Sequence, residues 1–166
     1  MRHLNRVLVA VTSLLTVLVI TPQVRVAAGS AVADLAFVQR LIFGVPIVEF
    51  SATARLRIGA NGEGGDTWFD WSTDLCSAPL VGNTGRSFNF TEPCRRHDFG
   101  YRNMQLLERR YGSGHSYWNS ESRKRIDLRL LSDMMAHCAA RWLLIRPTCY
   151  WWALTFYGVV RTAGGP

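Results

Sequence analysis

A histidine followed at once by an aspartate, inside Cys94–Asn103 (CRRHDFGYRN), narrows most sharply what this chain can become. Just before it stands Thr91-Glu92-Pro93. Threonine can cap free amides, glutamate suits the positive end of a helix, and proline is tolerated in a first turn where its missing N–H has no partner to lose. A helix is therefore predicted from there to about Tyr111. Residues three and four apart are neighbours on a helix, so Cys94, His97, Asp98 and Tyr101 fall on one side of it. Taken alone, a His-Asp pair is the mark of a buried histidine beside an exposed aspartate. A second acidic segment ending in a cysteine lies upstream at Phe69–Cys76 (FDWSTDLC). Together the two segments outline a hydrolytic centre, in which acids hold a metal beside an imidazole that activates water.

The N-terminal region has the order of a secretory signal peptide. Arg2, His3 and Arg6 precede an apolar run from Val7 to Ile20, and Ala31-Val32-Ala33 is a small-residue site with cleavage expected after Ala33. That run is shorter than the roughly 20 residues needed to cross a bilayer. Residues 34–166 are then enough for one domain with a real core and too few for two typical ones. Losing Arg2, Arg6 and Arg25, with no acid among residues 1–33, lowers the formal net charge from +7 to +4. So mild an excess suits anionic lipid head groups, nucleic acid or a merely solvated face, and chooses none of them. No recognisable nucleic-acid module is present, and no nucleic-acid partner is expected. All four cysteines, Cys76, Cys94, Cys138 and Cys149, lie beyond the signal segment, so two disulfides are expected in an oxidising compartment. Four cysteines allow three pairings, and no C-x-x-C unit points to zinc.

Between Asp34 and Leu56 weak apolar periodicity predicts two packing helices, with Pro46 opening the second. GANGEGGD (59–66) reads as a turn, since it lacks the strand before it and the G-K-S/T ending of a phosphate loop. Cys76–Phe90 has loop composition, with Phe88 and Phe90 as anchors into the core. After a break at Gly112–Tyr117, Asn119 or Ser120, with Glu121 behind it, can cap a further helix. Its apolar positions Ile126, Leu130, Leu131, Met134, Cys138, Trp142 and Ile145 keep helical spacing until Pro147 ends it. Cys149–Val160 is uncharged and aromatic, and reads as a core helix or an interfacial surface rather than a span. No G-x-S-x-G occurs, and Gly112-Ser113-Gly114 lacks the context of a nucleophile elbow. Asn89-Phe90-Thr91 is a glycosylation sequon, relevant only where exported proteins are glycosylated.

An acid on the facing helix should fix the tautomer of His97. Asp127 and Asp133 both qualify. In a plain hairpin His97 lies about 21 Å from the end of its helix, Asp133 about 20 Å along the next and Asp127 only about 10 Å, so this arithmetic favours Asp133.

FDWSTDLCS, CRRHDFGYRN and the later RID (Arg125–Asp127) together resemble the secreted prokaryotic and fungal phospholipase A2 group, over roughly Phe69 to Cys149. The resemblance implies a small all-α domain with two antiparallel, disulfide-linked central helices, and a monomer. It implies Cys76 paired with Cys94 and Cys138 with Cys149. It also implies calcium held by Asp74, the Leu75 carbonyl and Asp98, with His97 as general base, Asp127 rather than Asp133 orienting it, and Tyr101 in support. Two carboxylates and a carbonyl suit a hard cation with coordination places left open. The implied function is secreted, calcium-dependent hydrolysis of the sn-2 acyl ester of glycerophospholipids at membrane surfaces or micelles. The alternative is a catalytically silent secreted relative that binds membranes or protein. Residues 34–68 lie outside the resemblance, as part of a propeptide or as a substrate-binding helix pair.

Overall fold

Ser30 opens the first helix. Its Oγ accepts the Ala33 N–H at 3.1 Å, and α1 runs over Ala31–Gln39 before widening into a π-turn at Arg40–Gly44. This computed structural model describes residues 29–58, 68–76 and 88–163. The signal segment up to residue 28, the glycine-rich turn at 59–66 and nearly all of the loop after Cys76 lie outside the described residues, and the expected cut after Ala33 falls in the first turn of α1. The chain continues through α2 (Ile47–Ile58), α3 (Thr91–Tyr111), α4 (Ser120–Ala139), a 3-10 turn (Leu143–Ile145) and α5 (Arg146–Ala163). Among the described residues there is no strand, in line with the all-α expectation, and no helix is long and apolar enough to cross a membrane.

Two helix ends depart from the sequence reading. Thr91 lies inside α3, and it is Asn89 whose Oδ1 accepts the Thr91 N–H at 3.0 Å. A short amide reaching an N–H two residues on competes well for that place. More consequential is α4, which stops at Ala139 instead of continuing to Pro147. Cys138 is bonded to Cys149 with their Cα atoms 5.5 Å apart, which a straight helix through both cannot allow. Pro147 consequently sits in the first turn of α5, where proline is tolerated, and Trp142 and Ile145 are exposed instead of buried.

The start of α4 follows the sequence closely. The Asn119 side chain accepts the Ser122 N–H at 2.9 Å while the Ser122 hydroxyl accepts the Asn119 N–H at 3.0 Å, a reciprocal capping box. α4 runs antiparallel to α3, as contacts 96 to 133, 97 to 127 and 101 to 123 show, and α5 packs against α4. One core lies between α1, α2 and α3 around Val38, Ile42, Phe50, Phe99 and Leu107. The other gathers Phe90, Leu130, Met134, Ala153 and Phe156 around both disulfides. Asp34, buried in α1, accepts from Trp68 Nε1 at 2.8 Å and the Tyr111 hydroxyl at 2.9 Å, tying the N-terminal helix to the far end of α3.

Gly100 lets α3 approach its neighbours. A Cβ there would stand 3.0 Å from Ile126 Cγ2 of α4 and 3.2 Å from Ile42 Cδ1 of the π-turn. Gly100→Val should therefore destabilise the fold by about 1–3 kcal/mol through overpacking, read as a lower urea midpoint at unchanged slope. An unchanged midpoint would mean that the contact between α3 and α4 has slack that the structure does not display.

Candidate active site

His97 in the second turn of α3 meets Asp127 in the second turn of α4, with Nε2 2.9 Å from Oδ1. An ionised carboxylate can only accept, so Nε2 carries the proton and the neutral ring keeps its lone pair on Nδ1. That nitrogen lies on the Asp98 side, 3.9 Å from Asp98 Oδ1. Burial pushes the imidazole pKa down, but the Asp127 and Asp98 carboxylates more than offset this and hold it above the ordinary histidine value.

Asp127 has no solvent-exposed surface. Such a carboxylate is tolerable only when its lone pairs are filled. Oδ1 also accepts from the Tyr101 hydroxyl at 2.6 Å, and Oδ2 accepts from Arg161 Nη1 at 2.8 Å. Arg123 adds a charge 3.9 Å from Oδ2. Burial raises the Asp127 pKa, yet the bonds from His97, Tyr101 and Arg161 outweigh it and hold the acid below the usual carboxylate value. Burial and the neighbouring Asp127 push the Tyr101 hydroxyl well above the usual phenol range, so it stays a donor. Its ring packs 4.2 Å from the His97 ring and 4.8 Å from that of Trp118.

Asp133 is elsewhere. It pairs with buried Arg96 at 3.4 Å and with Arg129 at 3.1 Å, on a different face of α4. The hairpin arithmetic that favoured it fails because the connection 112–119 doubles back along α3. Glu108 accepts the N–H groups of His115, Tyr117 and Trp118 at 2.8, 2.6 and 3.1 Å, and Trp118 reaches Tyr101 well before α3 ends. The start of α4 is thereby carried towards His97, and Asp127 arrives level with it.

The segment Asp70–Cys76 lies along a second stripe of α3, running the opposite way. Cys76 is bonded to Cys94. Asp98 Oδ2 accepts from the Leu75 N–H at 3.1 Å and from the Thr73 hydroxyl. Arg102 donates to Ser72 Oγ at 3.1 Å and to Asp74 Oδ1 at 3.0 Å. Fully buried Asn103 closes the series, with Oδ1 accepting the Asp70 N–H at 2.9 Å and Nδ2 donating to the Asp70 carbonyl at 2.7 Å. Leu75 takes φ +60°, a left-handed conformation that is uncommon for a leucine and that turns its amide onto Asp98.

Of the residues singled out from sequence, the fold thus brings His97, Tyr101 and Asp127 into contact and places Leu75 against Asp98. The Asp74 carboxylate is turned outward to Arg102, and among the described residues no three acidic, histidine or cysteine side chains converge on one point. The sequence reading missed Arg161, Arg123, Asn103, Arg102 and Thr73. Arg161 had one visible signal, as the only charged residue after Arg146 in an otherwise uncharged tail. Asn103 had none, since its role depends on a loop far away in sequence.

Residues 38–164 match the profile of the prokaryotic phospholipase A2 family. A secretory phospholipase A2 from Beauveria bassiana (strain ARSEF 2860) is 38% identical over 96 residues, covering 58% of this chain and 44% of that protein. Another secretory phospholipase A2, from Arthroderma benhamiae (strain ATCC MYA-4681 / CBS 112371), is 32% identical over 111 residues, covering 67% of this chain and 60% of that protein. The chain therefore spans less than two thirds of the length of either relative. The family match reaches well upstream of Phe69 and takes in the end of α1 and all of α2. Covering the last two residues of α1 and everything beyond it to the end of α5, that match places the chain in the prokaryotic phospholipase A2 family.

Proposed function

We propose that this chain is an exported hydrolase that cleaves the sn-2 acyl ester of glycerophospholipids with water activated by His97. The carrying observation is the bond from Nε2 to a fully buried Asp127 carboxylate, which leaves Nδ1 as the basic nitrogen. In this reading Nδ1 takes a proton from water as the water oxygen attacks the ester carbonyl. Asp127 stabilises the imidazolium that forms, and Tyr101 and Arg161 hold Asp127 ionised and in place. His97 then returns the proton to the leaving glycerol oxygen, giving a fatty acid and a lysophospholipid with no acyl-enzyme. Export rests on the signal-like order of residues 1–33 and on two disulfides.

Asp74, the Leu75 carbonyl and Asp98 are the groups that would hold calcium. They fit it in kind, since all three offer the hard oxygen donors that calcium takes. Asp98 is already tied to the loop through Leu75, and the Asp74 side chain is 63% exposed, which gives it room to leave Arg102. Bound there, calcium would supply the positive charge that polarises an ester carbonyl and offsets the charge growing on its oxygen.

Two outcomes follow from this reading. His97→Gln should cut fatty-acid release from phospholipid by about 10²–10⁴-fold while leaving the circular dichroism spectrum and melting temperature unchanged; a folded variant that retained near-normal turnover would remove His97 from its role. Excess chelator should abolish release and added calcium should restore it, whereas full activity in chelator would discharge Asp74 and Asp98 as ligands.

A further inference from the structure

The corner between α4 and α5 displays what a soluble surface ordinarily hides. Trp142, Leu143, Leu144 and Ile145 are consecutive, and each is between 40% and 70% exposed. Trp151 and Leu154, three residues apart on α5, are exposed as well, at 60% and 52%. Four consecutive exposed large apolar side chains, with two more on the helix that follows, mark a surface that meets something. The corner is also stiff. The Cys138–Cys149 bond closes it, and Arg146 Nε donates to the Arg141 carbonyl at 2.8 Å across its base. These side chains are thus held outward, with little freedom to fold back over one another.

Charge indicates the occupant. After Asp133 the chain contains no acidic residue at all, while Arg141 and Arg146 flank the four apolar residues. A protein partner is met through mixed charges at a rim, whereas a cationic apolar corner with two exposed indoles matches the layered chemistry of a phospholipid surface: anionic head groups outside and acyl chains beneath. Indole rings favour that boundary. The corner shares its core with Phe90 and Cys94, at the end of α3 that carries His97.

We infer that residues 141–154 form a membrane-docking corner, which inserts Trp142, Leu143, Leu144 and Trp151 among the lipids of an anionic phospholipid surface. The choice of lipid as occupant rests in part on the phospholipase reading above, so the test separates the two. Binding is measured by co-sedimentation of the His97→Gln protein, which should leave the lipid intact, with vesicles of phosphatidylglycerol and phosphatidylcholine in equal parts. The same protein carrying Leu143→Gln, Leu144→Gln and Trp151→Gln should partition at least tenfold more weakly, and added salt should weaken the parent. With His97 restored, the three changes should depress hydrolysis of vesicles but leave hydrolysis of a short-chain phospholipid, monomeric in solution, unchanged. Leu144→Gln alone, run in parallel, gives the same comparison in smaller degree should the triple change lower the melting temperature. Equal vesicle partition of parent and variants would overturn the inference. So would sedimentation velocity that finds the parent a dimer and the variants monomers, since a second copy would then cover the corner. Vesicle binding that depends on these residues, in a protein that turns over neither form of lipid, would sink the enzymatic reading and leave the docking corner standing.

Discussion

One carboxylate organises this molecule. Asp127 is wholly withdrawn from water, and a charge so placed persists only if donors surround it. They come from three helices: His97 and Tyr101 on α3, Arg123 one turn away on α4 itself, and Arg161 near the end of α5. Arg123 also spans the gap to α5, donating to the Val160 and Arg161 carbonyls at 2.9 and 2.8 Å, oxygens that the last turn of a helix would otherwise leave unpaired. The mutual placement of α3, α4 and α5 and the protonation of the imidazole are therefore set by the same few bonds. Displacing α5 would remove Arg161 from Asp127 and so loosen the acid that orients His97.

A second buried acid could have competed for the histidine, and the structure shows what prevents it. His97 and its neighbour Arg96 point to different faces of α3 because successive residues are about 100° apart around a helix. Arg96 faces Asp133, with the ring of Phe50 5.2 Å below its guanidinium, and its Nη1 donates to the Ile42 carbonyl at 3.3 Å. Arg129 donates to the carbonyls of Phe43 and Val45 at 3.4 and 3.3 Å. Burial holds the Arg96 pKa down to about 10 against the pull of Asp133, and burial likewise raises the Asp133 acid against the pull of both arginines. This cluster fastens the N-terminal helices, through the carbonyls at the end of the π-turn, to the α3–α4 pair. Asp133 is committed to architecture and Asp127 to the imidazole.

The helices were largely legible in the sequence because their signals are local. Asn119 with Glu121 behind it, proline in a first turn and apolar residues at three- and four-residue spacing each act within a few residues. What could not be read was set by distant contacts. The apolar spacing from Ile126 to Ile145 describes one helix well, and only the bond from Cys138 to Cys149 breaks it, turning Trp142 and Ile145 from core positions into exposed ones. Between Asp127 and Asp133, helix arithmetic favoured the wrong acid, and the resemblance alone implied Asp127. The choice between them rested on how far the connection 112–119 folds back, which depends on Glu108 receiving three amides from a segment with no secondary structure of its own. Arg161 and Asn103 belong to the same class, since each acquires its partner from an element far away along the chain.

Two stripes of α3 divide the labour between fixity and movement. One stripe, with His97 and Tyr101, is locked to α4 by the buried acid. The other, with Cys94, Asp98 and Arg102 at four-residue intervals, carries the loop Asp70–Cys76 and grades its hold on it. A covalent bond fastens Cys76, hydrogen bonds donated to a partly buried carboxylate fasten Leu75 and Thr73, and an exposed ion pair fastens Asp74. Exposed ion pairs are weak, on the order of 1 kcal/mol or less, so Asp74 is the member of the series that moves at least cost. In the proposed chemistry this ordering has a use. The Leu75 backbone, fixed in an uncommon conformation against Asp98, stays in register with the imidazole one residue away on the helix, while the Asp74 carboxylate can exchange Arg102 for a cation without disturbing either.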